Sequence, residues 1–326
     1  MSETIFDAKN LTVRFKTDQG MITAVDNVNI HLKKGQVLGL LGESGSGKSV
    51  TLRSILRILP QHKTEISGHV TVGNKDVLSL RGKALANYRG GEVAMIFQEP
   101  ATAFDPVFTI GHQIAETVVR HKGVSRNDAN IRALEMLELV KIPSAKSRLG
   151  NYPHEMSGGM RQRAMIALAL SCSPKLLLAD EPTTALDATV QIQVILLLRE
   201  LQQELGMATI FVTHDVGVAA EISDQVVVMY GGRIVERGGA SEVLKTPQHP
   251  YTNGLLSSTV HGVAPGSKID AIPGMPPDLA AMPPGCAFGP RCKHAIAECT
   301  AAVPELELLT ATHEIACTVK PKLKAI

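Results

Sequence analysis

The octapeptide GESGSGKS, residues 42 to 49, follows the apolar run VLGLL and combines three glycines with a lysine and a hydroxyl at the spacing G-x-x-x-x-G-K-S. Gly45 and Gly47 allow the backbone to curl, so that amides across Ser44, Gly45, Ser46, Gly47, Lys48, Ser49 and Val50 can face one anion. Lys48 is then expected to bridge the β- and γ-phosphates of a nucleotide, and Ser49 to offer its oxygen to Mg2+. A second stretch, LLLADEP at 176 to 182, ends an apolar run on two carboxylates. Asp180 is placed to hold Mg2+ through water, and Glu181 to orient or deprotonate a water that attacks phosphorus. The chemistry these residues share is hydrolysis of a nucleoside triphosphate.

The elements that must carry them read as a mostly parallel α/β arrangement from Leu11 to about Gly239. Strands are expected at 36–41, 93–97, 176–179, 209–213 and 225–230, and helices at 49–58, 125–140, 158–169 and 190–205. In the last helix Ile192, Ile195, Leu198, Leu201 and Leu205 form a stripe of helical period, expected to be core. No central strand is expected between Gln98 and about Ser173, which reads as a helical lobe at about 99–173 inserted into the sheet domain. After residue 240 the stretches TPQHPY, PGSK, IPGMPP and MPPGC bring prolines and glycines that cannot continue the alternation. The expected organisation is therefore a nucleotide-binding domain at 1–240 and an extension at 241–326.

Composition narrows the class. Thirty-three Lys plus Arg against 31 Asp plus Glu give a formal charge of +2, and 7 Phe, 4 Tyr and no Trp offer few stacking platforms, so no nucleic-acid partner is expected. No apolar run is long enough to span a bilayer, and the amino-terminal residues lack a signal-peptide pattern, so the chain is read as neither secreted nor membrane-spanning.

MSGGMRQR, residues 156 to 163, precedes a helical pattern and lies shortly before the acidic pair. In this order and spacing the chain resembles the ATP-binding cassette (ABC) proteins. The resemblance implies a P-loop NTPase fold of ABC type, with a RecA-like sheet, an antiparallel β part and the inserted helical lobe. It also implies that Ser157, Gly158 and Gly159 bind the γ-phosphate held by the loop of a second cassette, identical or paralogous. Gln98 in IFQEP matches the glutamine that senses Mg2+ and the γ-phosphate, and His214 in FVTHD matches the switch histidine. Asp187 in TALD matches the dimer-facing loop, and Phe15 in LTVRF the aromatic on adenine. Met156 and Met160 stand where the family commonly carries leucine and glutamine.

One cassette without a long coiled-coil insertion resembles a transporter motor more than a repair or ribosome-associated relative, although a non-transport ATPase is the alternative class. The region PATAFDPVFTIGHQIAE, 100 to 116, is then expected to gather Phe104, Pro106, Val107, Phe108 and Ile110 into a groove for a membrane subunit. QHPYTNGLL, 248 to 256, resembles the His-Pro-Tyr element of the extension in oligopeptide and dipeptide importer ATPases. That resemblance implies two transmembrane permease subunits, a periplasmic solute-binding protein and a peripheral location on the cytoplasmic face of the inner membrane. Nickel, glutathione or an oligosaccharide are alternative solutes.

Four cysteines, Cys286, Cys292, Cys299 and Cys317, follow the spacing C-x5-C-x6-C-x17-C. Disulfides do not suit a reducing compartment, so a metal is expected; the spacing departs from zinc knuckles, and GCAFGPRCKHAIAEC resembles the segment that binds a [4Fe-4S] cluster in some peptide-importer ATPases. Zinc and unligated thiols are the alternatives. Cys172, in ALALSCSP, is expected to be a packed helix-end residue.

Overall fold

The computed structural model describes residues 3–18, 20–184, 186–258, 271–321 and 323. The PGSK stretch, within 259–270, lies outside the described residues, as does Ala185 of TALD.

Along the chain run β1 (Thr4–Thr17), β2 (Gly20–Lys33), β3 (Val37–Leu41), α1 (Lys48–Ile55), β4 (Thr64–Val72), β5 (Lys75–Asp76), α2 (Gly82–Gly91) and β6 (Val93–Ile96). Next come α3 (Pro100–Ala103), α4 (Ile110–Lys122), α5 (Arg126–Leu139), α6 (Ala145–Arg148), α7 (Gly158–Leu170), β7 (Leu176–Asp180), α8 (Ala188–Leu205) and β8 (Ala208–Val212). The chain ends with α9 (Val216–Ile222), β9 (Gln225–Tyr230), β10 (Arg233–Gly239), α10 (Ala240–Lys245), α11 (Pro250–Ser257), β11 (Glu307–Leu308) and β12 (Glu314–Ile315).

The chain divides into two compact units. The first comprises 1–5, 33–35 and 79–210. Its β6 and β7 pair in parallel, Val93 opposite Leu176 through Ile96 opposite Ala179, and all residues of both strands are buried. Continuous apolar strands of this kind need cover on both faces. The helices α3 to α7 fill the stretch from 100 to 170 without a strand among them, as the sequence leads one to expect. Ser125 and Thr109 cap α5 and α4 by accepting from the amides of Asp128 and His112.

The stripe expected to be core in α8 is buried only in part. Ile195, Leu198 and Leu201 are inside with Val194 and Leu197, whereas Ile192 is 60% and Leu205 37% exposed. The helix is longer than the face that covers it, so its ends carry apolar residues into solvent although their period is right.

The second unit holds 6–32, 36–78 and 211–326. An antiparallel sheet runs in the order β2-β1-β4-β5, and a second set of strands runs β11-β12-β10-β9-β3, with β3 parallel to β9. Helix α1 stops at Ile55 rather than Ile58: Arg57 turns into the left-handed region at φ 60°, with its guanidinium donating to the carbonyls of Val77 and Leu78. The proline-rich tail does not leave the sheet for good, since β12 pairs antiparallel with β10, Glu236 opposite Ile315. Two-residue strands have no pattern to read, so this return is invisible in the sequence. Tyr251 and Phe288 of the tail share one apolar cluster with Leu41 of β3 and Val226, Val228 and Tyr230 of β9.

Candidate nucleotide site and its extension

In the second unit, the phosphate loop joins the buried strand β3 to α1. Three of its glycines adopt positive φ: 147° at Gly42, 80° at Gly45 and 103° at Gly47. At Gly47 a Cβ would also stand 2.7 Å from the carbonyl oxygen of Ala24. No other residue suits both conditions. Lys48 is 5% exposed, and its ammonium donates to the carbonyls of Gly42 at 2.7 Å and Glu43 at 2.8 Å, with Ser46 Oγ at 3.4 Å. A buried cation at the mouth of a glycine loop and beside a helix N-terminus is electrostatically suited to a polyphosphate. Ser49 and Val50 are half-buried, Ser44 and Gly45 exposed. His214 is exposed two residues beyond β8, where Asp215 caps α9 by accepting from the Val218 amide. Phe15, near the end of β1, is half-buried opposite Thr64.

In the first unit, Asp180 is 3% exposed at the carboxyl end of β7. Glu181 follows in the left-handed region at φ 46°. Such a backbone costs a non-glycine residue on the order of 1 kcal/mol and clusters at functional positions. Its Oε2 accepts from the Thr184 hydroxyl at 3.0 Å and lies 3.5 Å from the Gln98 amide nitrogen. Gln98 and Glu181, 83 positions apart, are thus brought together. Ser157 caps α7, accepting from the Met160 amide, and Ser157 and Gly158 are exposed at that helix N-terminus. Asp187 caps α8 by accepting from Val190 at 3.0 Å. Gln162, to which no sequence motif points, is 1% exposed and donates to the carbonyl of Pro182, tying α7 to the residue after Glu181. Set between Arg161 and Arg163, it carries no local mark of its burial. Gln98 and Asp180 of the first unit offer amide and carboxylate oxygens, and Ser49 of the second a hydroxyl, each a donor type that Mg2+ accepts.

The groove expected between 104 and 110 is divided. Phe104 and Ile110 are buried, and Pro106, Val107 and Phe108 form the exposed part, with Val107 at 68%.

The extension reaches the phosphate loop. Tyr251 Oη accepts from the Glu43 amide at 2.7 Å, and Arg291 donates to both carboxylate oxygens of Glu43, at 2.6 and 3.1 Å. His249, in the same His-Pro-Tyr element, caps α11 by accepting from the Tyr251 amide at 3.0 Å, with Pro250 in the first turn. Burial drives the His249 pKa down to about 4, so the ring is neutral and free to accept. Neither Glu43 nor Arg291 was singled out from sequence, because nothing local links positions 248 residues apart.

The four tail cysteines are free thiols. Cys286 and Cys292 are electrostatic neighbours of each other and of Cys299 and Cys317, and burial pushes both thiols up. Backbone amides of Phe288 and Gly289 point at Cys286 sulfur, and that of His294 at Cys292 sulfur at 3.4 Å. Among the described residues, however, no three His, Cys, Asp or Glu side chains converge to hold a metal ion. Cys172 is fully buried beside α7, near the Thr117 carbonyl.

Comparison with known proteins gives two family matches: residues 25–184 match the model for ABC transporter, and 235–299 that for the oligopeptide/dipeptide transporter C-terminal region. The chain is 47% identical to an oligopeptide transport ATP-binding protein of Haemophilus influenzae, over 91% of this chain and 92% of the relative. It is 43% identical to a dipeptide transport ATP-binding protein of Bacillus subtilis, over 97% and 94%. Among solved structures, a dimeric ATP-binding cassette bound to ADP and phosphate superimposes with a TM-score of 0.64 at 28% identity, covering 72% of this chain and 99% of that one.

Proposed function

We propose that this chain, which belongs to the ABC transporter family and is an ATPase of that family, is the subunit whose ATP hydrolysis powers import of dipeptides or oligopeptides across a membrane. The observation that carries the reading is likeness over nearly the full chain, extension included, to ATP-binding proteins named for dipeptide and oligopeptide transport. Among the described residues no helix is long and apolar enough to cross a membrane, so a membrane path needs other subunits.

In the proposed cycle, Lys48 and the loop amides from Ser44 to Val50 hold the phosphates of ATP, and Phe15 carries the adenine. Ser49, Gln98 and Asp180 would hold Mg2+, which neutralises charge on the phosphate oxygens. Ser157, Gly158 and Gly159 of one chain close on the γ-phosphate of a second cassette, with Asp187 at the same interface; an exposed helix N-terminus supports that role. Glu181 orients and deprotonates the attacking water, and His214 steadies the transferred phosphoryl group. The exposed Pro106, Val107 and Phe108 receive a segment of a permease subunit on the cytoplasmic face of the inner membrane, which a periplasmic solute-binding protein loads from outside.

The test is co-expression with candidate permease subunits and a solute-binding protein in proteoliposomes. ATP-dependent peptide uptake that disappears with Lys48→Ala is the expected result; peptide-independent ATP turnover with uptake of another solute class would replace the peptide reading.

A finer reading is that Cys286, Cys292, Cys299 and Cys317 ligate a [4Fe-4S] cluster. Mutual proximity and amide donors aimed at two sulfurs support it, since such donors tune cluster thiolates. Among the described residues no three such side chains converge to hold a metal ion, which counts against zinc and lends the cluster no support. Anaerobically purified chain should carry about four irons; colourless protein with thiols fully titratable would remove the proposal.

A further inference from the structure

Glu43, the second residue of the phosphate loop, is held at all three of its polar groups. Its carbonyl accepts from the ammonium of Lys48 at 2.8 Å. Its amide donates to the Tyr251 hydroxyl at 2.7 Å, and its carboxylate takes the forked pair from Arg291. Two of these three attachments come from the carboxyl-terminal extension.

Arg291 is itself built in. It is 9% exposed, donates to the Tyr230 hydroxyl at 3.1 Å and through Nε to the Pro273 carbonyl at 2.8 Å, and lies over the rings of Tyr230 and Phe288. Bidentate guanidinium geometry with further fixed acceptors leaves the fork one orientation. Tyr251 is fully buried, and burial pushes its hydroxyl up, so it remains a neutral group. Beyond the Pro273 carbonyl that Arg291 holds, the tail continues through Pro276, Pro277 and Asp278 to line a cavity of about 330 Å³ whose other wall includes Ser44, Gly45 and Ser46 of the loop.

We propose that Arg291 and Tyr251 are positioning residues for ATP: through Glu43 they set the limb of the phosphate loop against which Lys48 rests, so that the extension completes the nucleotide site of its own chain. The inference rests on the assignment of this loop to ATP. Neither residue touches the nucleotide; both act on where the loop carbonyls hold the lysine. A loop displaced by an ångström loses much of its complementarity to a rigid ligand. Loss of the clamp therefore weakens ATP binding while leaving the hydrolytic groups, which lie elsewhere in the sequence, intact.

The experiment is equilibrium binding of a fluorescent ATP analogue to the full-length chain, with turnover at saturating ATP and thermal unfolding measured alongside. Arg291→Met should raise the dissociation constant about tenfold and leave saturated turnover within about twofold. Arg291→Lys, which keeps charge but not the fork, should recover only part of the affinity. Glu43→Gln should match Arg291→Met, and the double variant should be no worse than either alone, as expected of one coupled unit. Tyr251→Phe removes one oxygen from a preserved ring and decides the matter if Arg291→Met fails to fold. A folded Arg291→Met or Tyr251→Phe chain with wild-type affinity overturns the proposal, even if its unfolding temperature falls, because that pattern marks a purely structural contact. Failure of the ATP assignment looks different: the wild-type chain would not bind the analogue, or Lys48→Ala would bind it as well as wild type.

Discussion

Glu181 pairs a left-handed backbone with a carboxylate that accepts from Thr184 and faces Gln98. Replacement by Gln preserves size while removing the basic oxygen. Turnover is expected to fall by about 100- to 10,000-fold, with ATP affinity retained, because the phosphate loop is untouched. Single-turnover hydrolysis set beside equilibrium binding checks both halves; weakened binding would reassign Glu181 to holding the nucleotide. At this scale the place of the acidic pair was legible, since an apolar strand ending on two carboxylates is written in adjacent letters. It did not show Gln162 reaching Pro182, because a hydrogen bond between a helix and a distant turn leaves no local pattern.

Among the elements, the strand-loop-helix around Lys48 is the most strongly constrained. Gly47→Ala would place a Cβ 2.7 Å from the Ala24 carbonyl oxygen at a φ of 103°. Backbone strain alone costs about 1–2 kcal/mol, and the collision adds to it. Either α1 shifts or the loop opens, so nucleotide binding is expected to be lost in a chain that still unfolds cooperatively; calorimetry and a binding titration measure the two effects separately. Such elements were legible because glycine placement and apolar runs act over a few residues. The ends of α8 were not, since periodicity shows which face is apolar but not how far a neighbour extends along it: Ile192 and Leu205 keep the period and face water.

In the second unit as a whole, a buried carboxylate organises the extension. Glu236 is fully buried and accepts from the amides of Gln248 and His249, while His313 Nε2 lies 2.7 Å from it. The Glu236 hydrogen bond, opposed by burial and aided by the charges of Glu236 and Glu242, raises the His313 pKa above its ordinary 6.5. A raised folded pKa contributes stability that is fully present below the unfolded value and lost as pH rises through the folded one. His249 runs the other way: with a folded pKa of about 4, the unfolded chain binds the extra proton between about 4 and 6.5, so stability falls as pH drops through that window, by about 3 kcal/mol from this residue. Between them these two histidines therefore favour the folded unit most near pH 6.5, and their contributions are lost on either side. Urea unfolding across pH 4 to 9 checks it; His313→Gln should flatten the alkaline limb alone, and an unchanged alkaline limb would show that His313 is neutral beside Glu236.

By itself the sequence determined the class of chemistry, because phosphate binding and metal-assisted hydrolysis need glycines, a lysine and carboxylates at short, fixed spacings. GESGSGKS and LLLADEP each hold that information within eight residues. The His-Pro-Tyr element could be matched, yet what it touches could not be read. Tertiary structure alone decided that Tyr251 and Arg291 meet Glu43 across 208 and 248 positions, and that β12 returns to pair with β10. Contacts of that span arise from closing long loops over a shared core, where Leu41, Tyr230, Tyr251 and Phe288 exclude water together. Their register depends on the packing of the whole unit, which no window of sequence contains.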